Sequence, residues 1–161
     1  FNDAIWPDFA RLPSPERPML RYRMLRPGDT ITIGDRSFYA IDVTHTVPSL
    51  GFTVRDSNGA FAVSGDTKTN ETLWPVLNAC DDLRLLVIEV SFPDEMEALA
   101  AEAGHYCPST LVRELERLRH DPEIWLTGMK PGEEGRILDQ VLRACPDRNI
   151  QMLARGTVLS V

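Results

Sequence analysis

Two short apolar runs in the second half of the chain constrain its fold most strongly. Residues 85–88 and 124–126 are consecutive apolar residues without a helical period, which is typical of strands buried on both faces of a sheet. Helix-like stretches at 71–80, 94–103, 109–119 and 133–144 flank these runs. Strands that alternate with helices in this way predict a sheet covered by helices.

The region before these runs alternates apolar and polar residues instead. One predicted hairpin spans 31–43 and turns at Gly34 and Asp35, and a second spans 51–64 and turns at Asn58 and Gly59. The first 29 residues carry five prolines and predict an extended, looping segment. We therefore expect one α/β domain over residues 1–161, with residues 1–29 as a Pro-rich loop within it.

The apolar content, the net charge and the cysteines of the chain exclude or favour several classes of protein. With 161 residues, of which 43% are hydrophobic, the chain can bury a core, but no apolar run approaches the length of a membrane span. The net charge of −7 argues against a broad DNA- or RNA-binding surface, although a small anionic substrate remains compatible with it. The three cysteines show no CxxC pattern, which favours a reducing, cytoplasmic location. A small-molecule partner is expected, and a homodimer stays open.

Polar side chains follow the predicted strands where each strand ends. Four positions lie one or two residues after the ends of four different predicted strands: His45, Asp66, Glu89 and Gly128. The carboxyl ends of strands in α/β folds border a common crevice, so these positions should converge on one site. Imidazole and carboxylate are the ligands of hydrolytic zinc or manganese centres. Each signal also has a plain structural reading: a solvated or core histidine, or a turn at Asp66 closed by an Asx hydrogen bond.

The order of several short motifs resembles a known family. These are Asn-x-x-Ile-Trp-Pro at 2–7, a histidine followed by Pro-Ser-Leu-Gly-Phe at 48–52, Gly-Asp-Thr at 65–67, Glu-x-Ser-Phe at 89–92, Gly-His at 104–105 and Lys-Pro at 130–131. In this order they resemble the later motifs of metallo-β-lactamase-fold hydrolases, and most closely those of class II 3',5'-cyclic-nucleotide phosphodiesterases. The resemblance extends over nearly the whole chain.

The resemblance implies an αββα sandwich of which this chain would be the C-terminal portion. The family's His-x-His-x-Asp-His cluster is not found in the sequence, so the domain is expected to be incomplete and to leave apolar the sheet face that would meet the missing half. A second departure is Gly128, which stands where the family has a ligating histidine. Glycine offers no side-chain ligand.

Site roles follow from the same resemblance. It implies two divalent metal ions, most readily Zn²⁺, with Mn²⁺ or Fe²⁺ as alternatives and with the second site weakened by Gly128. His45 would ligate the first ion and Asp66 would bridge both. His105 would protonate the leaving group while Glu89 orients its ring; a helix-capping contact is the structural alternative for His105.

Two further residues are expected to bind substrate. Lys130 could contact a phosphate, although Lys-Pro also shapes turns, and Trp6 could stack on a base at the mouth of the site. Two other residues have reactive side chains, but no sequence motif around them supports a catalytic role. Cys107 could act as a thiol nucleophile but has no recognisable base beside it, and His120 fits a surface position near a helix end.

The activity implied is hydrolysis of cyclic nucleotides such as cyclic AMP to 5'-monophosphates by a metal-activated water. We expect it of the full-length parent and not of this segment alone. A ribonuclease Z-like nuclease is one alternative, against which the negative charge counts. The other is a catalytically degenerate binding module, because Gly128 replaces a ligand.

Overall fold

A computed structural model describes residues 4–161 of the chain, so Asn2 of the first motif lies outside the described residues. The described part forms a seven-stranded sheet and a separate two-stranded ribbon. The ribbon joins β1 (Pro13–Ser14) to β2 (Arg17–Pro18), so the predicted loop of residues 1–29 contains one small hairpin. The strands of the large sheet are β3 (Thr30–Ile33), β4 (Arg36–Val43), β5 (Ser49–Arg55), β6 (Ala60–Val63), β7 (Leu83–Glu89), β8 (Glu123–Thr127) and β9 (Ile150–Met152).

The large sheet keeps its strands in chain order. Strands β3 to β6 form antiparallel neighbours, as the two predicted hairpins require, and β6 to β9 are parallel neighbours. Because two antiparallel steps restore the direction, β4 runs parallel to β6, β7 and β8. The carboxyl ends of these four strands therefore lie on one edge of the sheet. The predicted α/β class is confirmed, and β9 is an additional strand that the sequence analysis did not identify.

The helices fall where the periodicity placed them but are shorter. They are α1 (Leu73–Asn78), α2 (Glu97–Ala103), preceded by a 3₁₀ turn (Asp94–Met96), α3 (Pro108–Leu115) and α4 (Glu134–Ala144). Helix α3 ends four residues before the predicted end at 119. The Arg148 guanidinium donates hydrogen bonds to the carbonyls of Leu115, Leu118 and His120, which satisfies acceptors that a continued helix would have used. None of the helices in residues 4–161 is long and apolar enough to cross a bilayer.

The helices pack on one face of the sheet. Trp74 and Leu77 of α1, Leu111 of α3 and Ile137 of α4 share a buried cluster with sheet residues such as Leu86. Trp74 is 1% exposed and is a packing residue. The burial of these apolar side chains supplies the main driving force for folding.

The opposite face of the sheet is also apolar. Phe52, Val63, Val87 and Trp125 are paired across four neighbouring strands, and paired residues point to the same side. These four side chains are only half-buried. The described residues thus form one helical layer and one sheet layer, with apolar side chains on the sheet face away from the helices.

The loop after β6 is fixed to α1 by a buried amide. The Asn70 Nδ2 donates to the Thr67 hydroxyl and to the Lys68 carbonyl, while its Oδ1 accepts from the backbone N–H of Leu73 at 2.9 Å. One side chain therefore orders the loop and satisfies a free N–H group at the start of the helix. Asn70 is 4% exposed.

Replacing Asn70 with alanine should lower the free energy of unfolding by about 1–3 kcal/mol, because it leaves buried polar groups without partners. Urea denaturation measures this. Thr69→Ala, an exposed neighbour in the same loop, is the control and should change stability by less than about 0.5 kcal/mol. Equal effects of the two substitutions would contradict this role for Asn70.

Candidate metal centre

The candidate site lies at the edge of the sheet where four parallel strands end. His45 follows β4 by two residues, Asp66 follows β6 by three, Glu89 is the last residue of β7 and Gly128 follows β8. An isolated bridge between Thr44 and Lys68 joins the first two loops, and the Lys68 N–H donates to the Thr44 carbonyl at 2.8 Å. The parallel arrangement and this bridge bring His45 beside Asp66.

Three side chains form a potential metal-binding cluster. One ligand atom from each of His45, Asp66 and His105 lies within 4.8 Å of the other two. The rings of His45 and His105 meet edge to face, with centroids 4.8 Å apart. His105 thus lies close enough to ligate an ion, in addition to the proton-donor role predicted for it.

A backbone carbonyl orients His45. Its Nδ1 lies 2.9 Å from the Gly104 carbonyl oxygen, which can only accept, so Nδ1 carries the proton and Nε2 keeps its lone pair free for a metal. Gly104 caps α2 in the left-handed conformation, with φ of +81°. A Cβ on Gly104 would lie only 2.7 Å from the His45 Nδ1. Both the backbone angle and the close ring require glycine here.

The ring of His105 contacts the carboxyl group of Glu89. Its Nδ1 lies 2.9 Å from Glu89 Oε1 and 3.2 Å from the Ser91 hydroxyl. The ring therefore leaves Nε2 for a metal, a water or a substrate atom. In the described residues the ring makes no helix-capping hydrogen bond; Cys107 and Thr110 form the capping box of α3 instead.

Glu89 is the buried anchor of the site, with its side chain 1% exposed. Its Oε1 accepts a hydrogen bond from the Thr67 N–H at 3.0 Å, so it holds the loop that carries Asp66 as well as the His105 ring. Burial raises the pKa of Glu89 to about 8, despite the opposing hydrogen bonds from Thr67 and Ser91. Burial also lowers the pKa of His105 below its usual value.

The other predicted residues take different positions. Lys130 places its ammonium 4.9 Å from the centroid of the Phe92 ring, and that ring lies 5.9 Å from the ring of His105, so Lys130 borders the site. Trp6 is 63% exposed, and within residues 4–161 no hydrogen bond or ring contact joins it to the cluster. Its predicted role stays a prediction.

Cys107 is fully buried, which opposes the thiol-nucleophile alternative. The Nε2 of His120 donates a hydrogen bond to the Asn78 carbonyl, away from the cluster.

Gly128 borders the same cluster through its backbone. Its carbonyl accepts a hydrogen bond from the Ser91 hydroxyl at 3.0 Å, and its φ is +76°. A Cβ added there would point toward Glu89 and Ser91, at 3.4 Å and 3.6 Å. The position faces the site, yet it supplies no side-chain ligand.

The donor set fits a divalent transition metal. Two imidazoles and one carboxylate are ligands that zinc accepts, and three protein ligands with an open fourth position are typical of catalytic zinc sites. His45 has its free nitrogen directed by Gly104, and His105 has its free nitrogen directed by Glu89. Such hydrogen bonds to the far ring nitrogen commonly orient histidine ligands.

A family model for the beta-lactamase superfamily domain matches residues 4–127. The chain belongs to this superfamily. Its members are generally hydrolytic metalloenzymes, and the predicted fold family is thereby confirmed. No curated protein matches the chain in sequence.

Solved structures show the same fold. Unliganded yeast PDE1 is 21% identical with a TM-score of 0.75, covering 96% of this chain and 53% of that one. The metallo-beta-lactamase fold protein YhfI from Bacillus subtilis is 15% identical with a TM-score of 0.70, covering 84% and 54%. Zn(2+)-bound PqqB from Methylobacterium extorquens is 15% identical with a TM-score of 0.63, covering 86% and 55%. The chain spans about half the length of these structures.

Stability of the metal-free protein should depend on Glu89 between pH 6.5 and 8. In this range the unfolded carboxyl is ionised, because its ordinary pKa is 4.5, whereas the folded one keeps its proton up to about pH 8. The folded state binds more protons, so the free energy of unfolding should fall as pH rises. The lowered pKa of His105 adds an opposite slope only below about its ordinary value of 6.5.

Urea denaturation at several pH values tests this expectation. Glu89→Gln keeps the shape of the side chain but cannot ionise, so its stability should lose most of the slope across this range. A wild-type curve that is no steeper than the Glu89→Gln curve would contradict a raised pKa for Glu89.

Gly104→Ala should weaken zinc binding by about 10- to 100-fold, the usual effect of disturbing a residue that orients a ligand. Isothermal titration of zinc into the full natural protein measures it. Gly132→Ala is a matched control: Gly132 also has a positive φ, +90°, but no atom lies within 4 Å of its added Cβ. If both variants bind zinc equally, Gly104 does not position His45.

Proposed function

We propose that the chain carries part of the active site of a metal-dependent phosphodiesterase that hydrolyses 3',5'-cyclic nucleotides. The observation that carries this proposal is the cluster of His45, Asp66 and His105 within 4.8 Å, with His105 held by the buried Glu89. A metal cluster beside an oriented imidazole suits hydrolysis of a phosphoester. The intact natural protein is the form to which the activity is assigned.

We assign His45 and Asp66 as the ligands of the metal, and the Asp66 carboxylate would also be available to a second ion. His105 lies near enough to be a third ligand, but a metal-bound Nε2 could not deliver a proton, so we assign His105 to proton transfer. Zinc is the first choice, with manganese or iron(II) as alternatives. When bound, the metal lowers the pKa of a water and polarises the phosphate. Because Gly128 offers no side-chain ligand, we expect this part of the protein to contribute mainly to one ion.

His105 would act on the leaving oxygen. Hydrolysis of a cyclic nucleotide expels a ribose alkoxide, which is a poor leaving group until it is protonated. The Nε2 of His105 faces away from Glu89, and Glu89 stabilises the ring when it carries the proton to be delivered. The Coulomb field of a bound cation would favour the ionised form of Glu89.

Lys130 and Trp6 are proposed to bind substrate. The Lys130 ammonium lies over Phe92 next to His105, where a phosphate oxygen would gain a charge-assisted hydrogen bond. Trp6 presents an exposed indole that could stack on a base. The motif resemblance and the fold shared with yeast PDE1 support a cyclic nucleotide as substrate.

A nuclease function is the second candidate. Human tRNase Z, short form, shares the fold at a TM-score of 0.56 and 18% identity. The net charge of −7 opposes it, because RNA binding gains most of its affinity from basic side chains. A degenerate binding module is the third candidate, and the observation in its favour is the missing ligand at Gly128.

Metal analysis and a cyclic AMP assay on the full natural protein test the proposal. Asp66→Ala and His45→Ala should each lower the zinc content and abolish hydrolysis, and His105→Ala should lower kcat by about 10²- to 10⁴-fold. His120→Ala is the control, because this histidine lies outside the cluster, and it should retain zinc and activity.

Three results would overturn the proposal. Full zinc content and activity in Asp66→Ala would exclude the assigned metal site. Cleavage of a structured RNA in preference to cyclic AMP would favour the nuclease. Zinc binding without hydrolysis of either substrate would favour a binding module.

A further inference from the structure

The side chain of Ser91 contacts three groups of the candidate site, and the sequence analysis did not identify it. Its hydroxyl oxygen lies 3.2 Å from Glu89 Oε2, 3.2 Å from His105 Nδ1 and 3.0 Å from the Gly128 carbonyl oxygen. The residue is 3% exposed, so water does not compete for these bonds. One buried hydroxyl thus contacts two proposed catalytic side chains and the backbone of the next strand end.

A hydroxyl group can donate only one hydrogen bond, so the three contacts of Ser91 cannot all be donated by it. A serine has one proton to donate and two lone pairs that accept. The Gly128 carbonyl oxygen and Glu89 Oε2 can each accept this proton, and the Gly128 carbonyl is the nearer of the two. A lone pair of Ser91 is left to accept from the Nδ1–H of His105.

The backbone of Ser91 connects the same segments. Its N–H donates to the Tyr106 carbonyl at 3.0 Å, next to His105, and its carbonyl accepts from the Lys130 N–H at 3.0 Å. The main chain of Ser91 therefore ties together the two segments that carry His105 and Lys130. Its side chain adds a contact to the imidazole itself.

We propose that Ser91 is a positioning residue for His105 in phosphodiester hydrolysis. By bonding to the Gly128 carbonyl it fixes its own oxygen beside Nδ1, and this second contact sets the plane of the ring that Glu89 alone would leave free to pivot. The proposal rests on the proposed function, because it concerns the delivery of a proton to the leaving group.

The test compares two leaving groups in the full natural protein. Cyclic AMP expels an alkoxide that needs a proton, whereas bis(4-nitrophenyl) phosphate expels a weakly basic aryl oxide that does not. Ser91→Ala should lower kcat on cyclic AMP by about 10- to 100-fold and change kcat on the aryl ester by less than about 3-fold, with zinc content unchanged. Ser91→Thr keeps the hydroxyl and should restore much of the loss.

Ser64→Ala is a matched control for the loss of a buried hydroxyl. Ser64 is 1% exposed and bonds to the Gly65 carbonyl and to the N–H of Glu89, but it does not touch His105. It should lower the midpoint of urea denaturation by an amount similar to Ser91→Ala, because each removes one buried hydroxyl. It should not separate the two substrates.

Equal losses on both substrates in Ser91→Ala, or no loss on either, would overturn the positioning role. If the wild-type protein hydrolyses the aryl ester but not cyclic AMP, the cyclic-nucleotide assignment fails. The Ser91 comparison then uses phosphodiesters with phenyl and 4-nitrophenyl leaving groups. If neither ester is hydrolysed, crystal structures decide: an unchanged His105 ring in Ser91→Ala would refute the proposal, and a rotated or disordered ring would support it.

Discussion

The arrangement of the site depends on one buried carboxylate. Glu89 ends the interior strand β7 and accepts hydrogen bonds from the Thr67 N–H and the Ser91 hydroxyl, while it also contacts the His105 ring. A buried carboxyl group is costly unless such partners surround it. The partners come from three separate segments, so satisfying this one group brings those segments together.

The sheet supplies the frame in which this can happen. Four strands end on the same edge because two antiparallel steps return β6 to the direction of β4, and parallel pairing continues through β8. Helices cover one face and bury the large apolar cluster. The other face keeps half-buried apolar side chains, and the chain spans about half the length of the solved structures that share its fold.

Two glycines affect the site because they have no side chain. Gly104 caps α2 and leaves room for the His45 ring, a dual requirement that no larger residue meets without a clash at 2.7 Å. Gly128 faces the cluster but supplies only its carbonyl, which Ser91 uses. Gly104 thus leaves space for the ring of His45, whereas Gly128 supplies no side-chain ligand and offers only its carbonyl as a hydrogen-bond acceptor.

The sequence by itself determined the α/β class, the two hairpins and the placement of His45, Asp66 and Glu89 at strand ends, because periodicity and turn residues are local properties. Motif order also gave the superfamily. Only the tertiary structure decided the early end of α3, the added strand β9, the left-handed cap at Gly104 and the contacts of Ser91. Each of these depends on groups far apart in the chain: Arg148 reaches carbonyls about thirty residues away, and Ser91 meets Gly128 across neighbouring strand ends. The sequence shows which polar groups need hydrogen-bond partners, but the packing of segments that are distant in the chain determines which partners they have.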